Sequence, residues 1–389
     1  MDSEKEARQA WTLKVVSSIH NIGAGAWDAC AGVQSPFVQH AFFSALEDSG
    51  SVGAEAGWQP QHMVLEDAAG GVLACAPLYL KNHSYGEYVF DWNWAEAYQR
   101  AGGHYYPKLQ CAVPFTPVTG PRLMVRGDVD AAEARLALAA GMVELAKRLK
   151  VSSLHVTFPT EDESALLAEA GFMTRIGEQY HWKNEGYATF DDFLAALSSR
   201  KRKAIRKERE VANGAGITIR TLVGAEITSK HWDAFFRFYM NTSDRKWGQA
   251  YLNREFFELL SERMGEAVVL VMGEEDGRPV CGALNLRGSD TLFGRNWGTL
   301  VDVPMLHFEV CYYRAIDFAI AHKLAWVEAG AQGRHKLQRG YLPRPTYSCH
   351  WIAERGFAKA VERFLVEERA AVSADIEAQI EMGPFRRES

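Results

Sequence analysis

The chain is marked first by what it does not contain. Its 389 residues hold no apolar run near the roughly 18 residues that a membrane-spanning helix needs. The opening segment, MDSEKEARQAW, is charged and lacks the apolar stretch of a secretion signal, so the expected location is cytoplasmic, without membrane insertion. No two of the six cysteines stand at CxxC spacing and none joins a Cys/His cluster with zinc spacing, so free buried thiols and no metal are expected. Ile22-Gly23-Ala24-Gly25 lacks a third glycine and a helix opening in register, which excludes a dinucleotide-binding turn. An excess of positive charge is also missing: the net charge is −6, so any phosphate recognition must come from a local patch. What remains is an ordinary globular composition, 47% hydrophobic and 24% charged, long enough for two domains.

Periodicity supplies the elements. Leu13 to Val16 predicts a strand; Ser35-Pro36-Phe37 through Leu46 predicts a short helix with a capping serine and a proline in its first turn. His62–Leu65 and Val72–Leu80 read as a hairpin about Asp67–Gly71. Residues 131–149 carry Leu138, Met142, Leu145 and Leu149 on one helical face, followed by a strand at 153–158 and a helix at 163–170. The second half begins with a strand at 217–222. Helices at 231–240 and 255–264 follow, separated by a polar loop, Asp244 to Gly248. Next come a hairpin about Asp276-Gly277, a strand at 291–297, a long helix at 304–322, a strand from Leu324 and a closing helix at 356–380. The expected domains are 12–184 and 217–389, joined by a basic helical connector at 185–216.

The two halves echo each other. Gly71 to Leu80 lies over Gly277 to Leu286 at one offset, with Gly, Cys and two Leu coincident. In this alignment each copy continues into a strand ending in an aromatic cluster, at Trp92 or Trp297, and the first copy carries an insertion at about 93–129.

Three segments concentrate polar chemistry. From Leu324 to Trp351 a short apolar strand ends at Glu328, breaks at Gly330 and Gly333, and continues as a loop holding Gln332, Arg334, His335, Lys336, Arg339, Tyr341 and Arg344. A cationic loop between two buried strands has the character of a site on a rigid scaffold. The second segment is Asp91-Trp92-Asn93-Trp94, with Tyr105, Tyr106 and Lys108, and with Arg295 in the corresponding place of the second copy. Trp94 suits stacking on a sugar or base and Lys108 a phosphate, while core packing accounts best for Phe90 and Trp92. The third is Arg200 to Arg209, basic at seven of ten positions. On a helix Arg202, Arg206 and Arg209 share a face, expected to bind phosphate unless acidic neighbours offset the charge.

The order of elements and these motifs together resemble the FemAB-like peptidoglycan biosynthesis/recognition family of the GNAT superfamily. The residues carrying the resemblance are Ser35-Pro36-Phe37, Ser84 to Tyr98, Tyr105 to Leu109, Arg200 to Arg209, Glu328 to Lys336 and Arg339-Gly340-Tyr341. The resemblance implies a mixed α/β fold of tandem duplicated GNAT acyltransferase-like domains, each a mixed sheet flanked by helices. It also implies an acyl- or aminoacyltransferase that forms an amide on an amine acceptor, a cell-wall precursor or another amino-group metabolite. The donor would be an acyl-CoA or an aminoacyl-tRNA. The alternatives are a non-catalytic GNAT-fold binding protein for cell-wall precursors, a CoA-dependent N-acetyltransferase and an RNA-binding protein. The glycine-rich pyrophosphate loop of CoA-using relatives is not found at Gln332 to Leu337, and the coiled-coil arm of some Fem ligases is absent. In the implied chemistry Lys336 stabilises the oxyanion and Glu328, raised by desolvation, acts as base. His335 is the alternative base. A surface role for Lys336, or an ion pair from Glu328 to Arg334 or Arg339, are the plainer readings. Asp91, Asn93, Trp94, Tyr105, Tyr106, Lys108, Arg295, Gln332 and Arg339 would line the acceptor site. His155, on the matching strand of the first half, is expected to be structural.

Overall fold

The computed structural model describes residues 11–246, 250–330 and 333–386. The expected N-terminal tail at residues 1–10, Gln332, and Trp247 and Gly248 of the expected polar loop lie outside them. In chain order the first elements are β1 (Thr12–Val16), α1 (Ala24–Ala31), α2 (His40–Asp48), β2 (Trp58–Pro60), β3 (His62–Glu66), β4 (Val72–Ala76) and β5 (Leu78–Lys81). They continue with α3 (Trp92–Arg100), β6 (Lys108–Cys111), β7 (Met124–Val125), α4 (Ala131–Leu149), β8 (Ser153–Thr157), α5 (Glu161–Glu169) and β9 (Met173–Lys183). Then come α6 (Phe190–Ala196), α7 (Ser199–Asn213), β10 (Ile217–Val223), α8 (Ser229–Lys246), α9 (Arg254–Met264), β11 (Val268–Glu275), β12 (Arg278–Arg287) and β13 (Thr291–Thr299). The last are α10 (Leu306–Phe308), α11 (Arg314–Ala321), β14 (Trp326–Glu328), β15 (Leu342–Ile352) and α12 (Arg355–Glu381).

The chain divides into two compact units. One comprises residues up to Gly32, Phe37–Ile176 and Thr346–Arg369; the other Val33–Pro36, Gly177–Pro345 and residues from Ala370 onward. In the first unit β1–β3–β4–β7 form a four-stranded sheet, and β2–β5–β6–β8 run on to the Thr346–Ile352 part of β15. In the second, the order is β10–β11–β12–β13–β14 and then β9. The duplication is visible rung by rung. Each unit has an antiparallel hairpin, β3–β4 or β11–β12, and one parallel pair, β6–β8 or β13–β14. An antiparallel strand then flanks β8 or β14. That last strand is exchanged. β9 follows the first half in sequence yet pairs with β14, and β15 follows the second half yet pairs with β8. Packing therefore moves the expected boundary: 177–184 go with the second unit and 346–369 with the first.

Local chemistry explains several element ends. Asp130 caps α4 by accepting from Glu133 N, and Leu138 and Met142 are fully buried on its inner face. Thr160 and Glu163 form a reciprocal capping box on α5. Pro77 has no N–H to give a ladder and separates β4 from β5, whereas Ala283 at the same offset lets β12 run unbroken. None of the six cysteines is joined in a disulfide, and five of them are buried.

Four expectations are corrected. A helix, α1, does open beside the early glycine pair at Ala24. The segment Asp244 to Lys246 continues α8 rather than forming a loop. Trp92 does not end a strand: Ser84–Phe90 is irregular and Trp92 starts α3, so the counterpart of β13 is β6, after the insertion. Phe90 and Trp92 are also not core residues but 52% and 38% exposed.

Candidate active site

The second unit parts its parallel strands at Glu328. The β13–β14 ladder runs Thr291–Trp326, Leu292–Val327, Phe293–Glu328 and then stops. β13 continues along β12, while Ala329 N donates to Tyr180 O on β9. The chain then turns at Gly330, φ 78°, and Gly333, φ 110°, a region costly for any residue with a Cβ. A Cβ at Gly333 would also lie 2.4 Å from the His335 ring. A 3-10 segment, Arg334–Arg339, follows.

Glu328, at the parting, is 8% exposed, and its Oε2 has no hydrogen-bond partner among the described residues. Burial pushes its carboxyl up to about 8, with Arg295 pulling the other way and Asp290 adding to the rise. The plainer reading, an ion pair to Arg334 or Arg339, does not hold. Arg334 pairs with Asp375 at 2.7 Å, and Arg339 pairs with Glu208 at 2.8 Å. The neighbour of Glu328 is His181, directly opposite on β9, with Nε2 3.8 Å from Oε1. Burial, with the charges of Arg344 and Lys336, pushes His181 down to about 3, so the ring is neutral.

Lys336 is not a surface lysine: it is 2% exposed, and its Nζ donates to Gly330 O at 2.8 Å. Burial lowers its amine to about 7, with Arg295 adding to the fall. Arg295, half-buried on β13, thus acts through its charge on both Glu328 and Lys336. His335 is exposed, its Nε2 3.0 Å from Tyr312 Oη. Arg339 holds the loop in place: two bonds to Glu208, a bond to His335 O and a guanidinium 3.4 Å over the Phe308 ring.

The first unit ties the equivalent parting shut. Its β6–β8 ladder stops at Cys111–Val156. Gln110 Nε2 then donates to Thr157 Oγ1 across it, and Arg122, 1% exposed, donates from Nε to Thr157 O and from Nη2 to Val118 O. Glu163 accepts from the Arg122 and Leu123 amides.

The acidic-aromatic segment of the first unit closes on itself. Lys108 Nζ is fully buried and donates to Ser84 Oγ at 2.7 Å, Glu87 Oε2 at 2.7 Å and Asp91 Oδ2 at 2.5 Å. Tyr105 Oη donates to Asp91 at 2.7 Å and lies 3.3 Å from His155 Nε2, whose Nδ1 is 2.7 Å from His350 Nδ1. Burial would lower Lys108, but Glu87 and Asp91 outweigh it and raise the amine. Lys81, also fully buried, is lowered by burial to about 7. The expected acceptor lining is thereby corrected for Asp91, Tyr105, Lys108 and Trp94, which are buried within this network or beside it. Asn93 is exposed and Tyr106 half-buried, its hydroxyl 2.8 Å from Ser84 Oγ. His155 is buried, with its ring nitrogens beside Tyr105 Oη, Ser153 Oγ and His350 Nδ1.

The basic run forms α7. Its C-terminal end is neutralised: Arg209 bonds Glu309 and Asp317 and stacks 4.3 Å over Phe190. Arg209 is therefore committed within the fold and not presented to phosphate. Arg206 is exposed and pairs with Asp191 at 2.9 Å; Arg200 and Lys203 are exposed and Arg202 half-buried.

His181, Lys81, Glu87 and Arg122 escaped sequence reading. His181 sits in a run, Gln179–Trp182, that reads only as a closing strand, and nothing local pairs it with Glu328. Among the described residues no cluster of His, Cys, Asp or Glu has metal-holding geometry, and no helix is long and apolar enough to cross a membrane. Between β13 and α10 the chain reads Leu300-Val301-Asp302-Val303-Pro304-Met305. An aspartate and no glycine amides do not fit a CoA pyrophosphate.

Comparison with known proteins agrees with this architecture. FemX superposes with a TM-score of 0.54 at 12% identity, over 90% of this chain and 100% of that one. L-PGS from Bacillus licheniformis gives 0.51 at 10%, over 86% and 98%. A conserved protein of unknown function from Bacteroides thetaiotaomicron gives 0.51 at 11%, over 88% and 100%. No curated protein matches by sequence. The expected class, a mixed α/β tandem of GNAT-like units, is the observed one. Residues 18–387 match the FemAB-like family, described as peptidoglycan biosynthesis/recognition, and the chain belongs to it.

Proposed function

We propose that the chain is an N-acyltransferase that moves an aminoacyl or acyl group onto an amine where β13 and β14 part. The observation that carries this reading is Glu328: a carboxyl buried where β13 and β14 part and pushed up to about 8, in a segment whose buried lysine amine is lowered to about 7. Attack of a neutral amine on an acyl carbonyl builds negative charge on oxygen and needs a proton for the leaving group. Charged Lys336 would donate to the oxyanion, and the Glu328 carboxyl would protonate the leaving oxygen or sulfur. An ionisation near 8 makes Glu328 an acid first and a base only after it has given its proton.

The cations of the first half of α7, exposed Arg200 and Lys203 and half-buried Arg202, support a tRNA-borne donor, and the chain entering α10 speaks against acyl-CoA. Family membership supports a small-molecule cell-wall precursor as acceptor, and a cytoplasmic location is part of the proposal. The exposed ring pair Tyr85 and Trp92, 4.9 Å apart with Phe90 also exposed, favours a second reading, recognition of a cell-wall sugar by stacking.

The test offers labelled aminoacyl-tRNA or acetyl-CoA together with nucleotide-linked muropeptides and simple diamines, and follows amide formation by mass spectrometry. Amide from the aminoacyl donor is expected; no amide with either donor overturns the reading. Lys336→Met should lower the rate about 10²–10³-fold, the usual loss on removing one oxyanion donor. An unchanged rate would remove Lys336 from the chemistry. An Arg202→Ala, Arg206→Ala double variant should bind tRNA more weakly and with a shallower log–log salt slope, by about one unit for each phosphate no longer engaged. Equal slopes would leave α7 as a strut.

A further inference from the structure

We propose that the acceptor amine docks between His181 and Glu328, and that His181 accepts a hydrogen bond from the amine and orients it for attack; this rests on the transferase reading above. The two side chains face each other across the β9–β14 pair, and each keeps only an edge to solvent, 12% and 11% exposed. His181 Nε2 and Glu328 Oε2 are both buried without a hydrogen-bond partner among the described residues. A buried polar atom left without a partner is destabilising, so two on facing residues mark a place that a ligand completes. The 3.8 Å between Nε2 and Oε1 is too long for a hydrogen bond, yet admits one nitrogen at about 2.9 Å from each.

The chemistry of the pair selects that nitrogen. A neutral imidazole and a carboxyl oxygen can both accept, which suits a group with two N–H bonds and a free lone pair. The charged groups acting on the pair are Arg344 and Lys336 on His181, and Arg295 and Asp290 on Glu328. Three of the four are cations, which disfavours an ammonium and favours the neutral, nucleophilic amine. The proton route then closes. The amine nitrogen bonds to the acyl carbon, and Glu328 gives its proton to the departing oxygen or sulfur as that bond breaks. The Glu328 carboxylate so formed takes the amine proton, while His181 Nε2 accepts the hydrogen bond that orients the amine. The net transfer is one proton from amine to leaving group.

The experiment needs no donor. With ¹⁵N-labelled histidine, the His181 ring signal is followed during titration with methylamine, and with tetramethylammonium, which has no N–H, as control. A saturable shift with methylamine alone is expected; in His181→Gln and His181→Leu, which lack that signal, methylamine binding read at the ¹³C-labelled glutamate carboxyls should weaken at least about tenfold. No shift, or the same shift with tetramethylammonium, overturns the subsite. In the transfer assay both variants should raise the KM for the amine and lower kcat. An unchanged KM and kcat overturn the role of His181 while leaving the transferase intact. Methylamine binding without any transfer would keep the amine subsite and remove the proposed reaction.

Discussion

Replacing Glu328 by glutamine is expected to stop transfer and stabilise the fold at once. Removing a general acid lowers such rates about 10²–10⁴-fold. The stability gain follows from burial. The folded carboxyl holds its proton up to about 8, while the unfolded one releases it near the ordinary value of 4.5. Between those limits the unfolded state binds fewer protons, so the wild type loses stability as pH rises from 4.5 to 8, about 1.4 kcal/mol per unit at the limit. Glutamine does not titrate. The variant should therefore gain on the wild type through that window and keep a constant advantage above it. Denaturation at a series of pH values measures this; parallel curves for the two proteins would mean that Glu328 ionises normally. Lys336 acts in the opposite sense, its lowered amine costing stability as pH falls from 10.5 to about 7.

Lys108→Met should damage the first unit most. The lysine is fully buried between Glu87 and Asp91, and losing it leaves both carboxylates without their main countercharge. Breaking one partner out of a buried ion pair costs about 3–5 kcal/mol. Lys81, 3.7 Å from Glu87, is too distant to replace three short bonds. Urea denaturation at neutral pH checks the loss. A change under about 1 kcal/mol would mean that the cluster is solvated and the pair weak. A triple change to apolar residues at 87, 91 and 108 should recover much of the lost stability, because the cost lies in stranded charge rather than in packing.

The sequence disclosed what depends on neighbours along the chain. The helix α4 with Leu138 and Met142 on its inner face, the hairpin about Asp276-Gly277 and the duplication through Cys75 and Cys281 are local patterns and form as read, except that Leu149, at the end of the expected α4 face, is exposed. The exchange of β9 and β15 was hidden, because strand alternation says which face is buried and not which strand lies beside it. His181 was lost for the same reason. Glu328 and Lys336 were legible as a strand end and a glycine-bent loop, and burial moves both ionisations as desolvation predicts. Lys108 and Arg209 misled because a charged residue in an aromatic or basic run reads as exposed. Here each meets carboxylates from segments far away in the chain, Asp91 and Glu87 or Glu309 and Asp317.

The most direct test of a protonated acid at the parting of β13 and β14 is the titration of Glu328 itself. With ¹³C at the glutamate carboxyl carbons, spectra of the wild type and Glu328→Gln are compared from about pH 4 to about pH 10. One signal absent from the variant should titrate near 8. If the signal that disappears titrates in the ordinary range near about 4.3, Glu328 is a carboxylate at neutral pH and the proton-donating site does not exist.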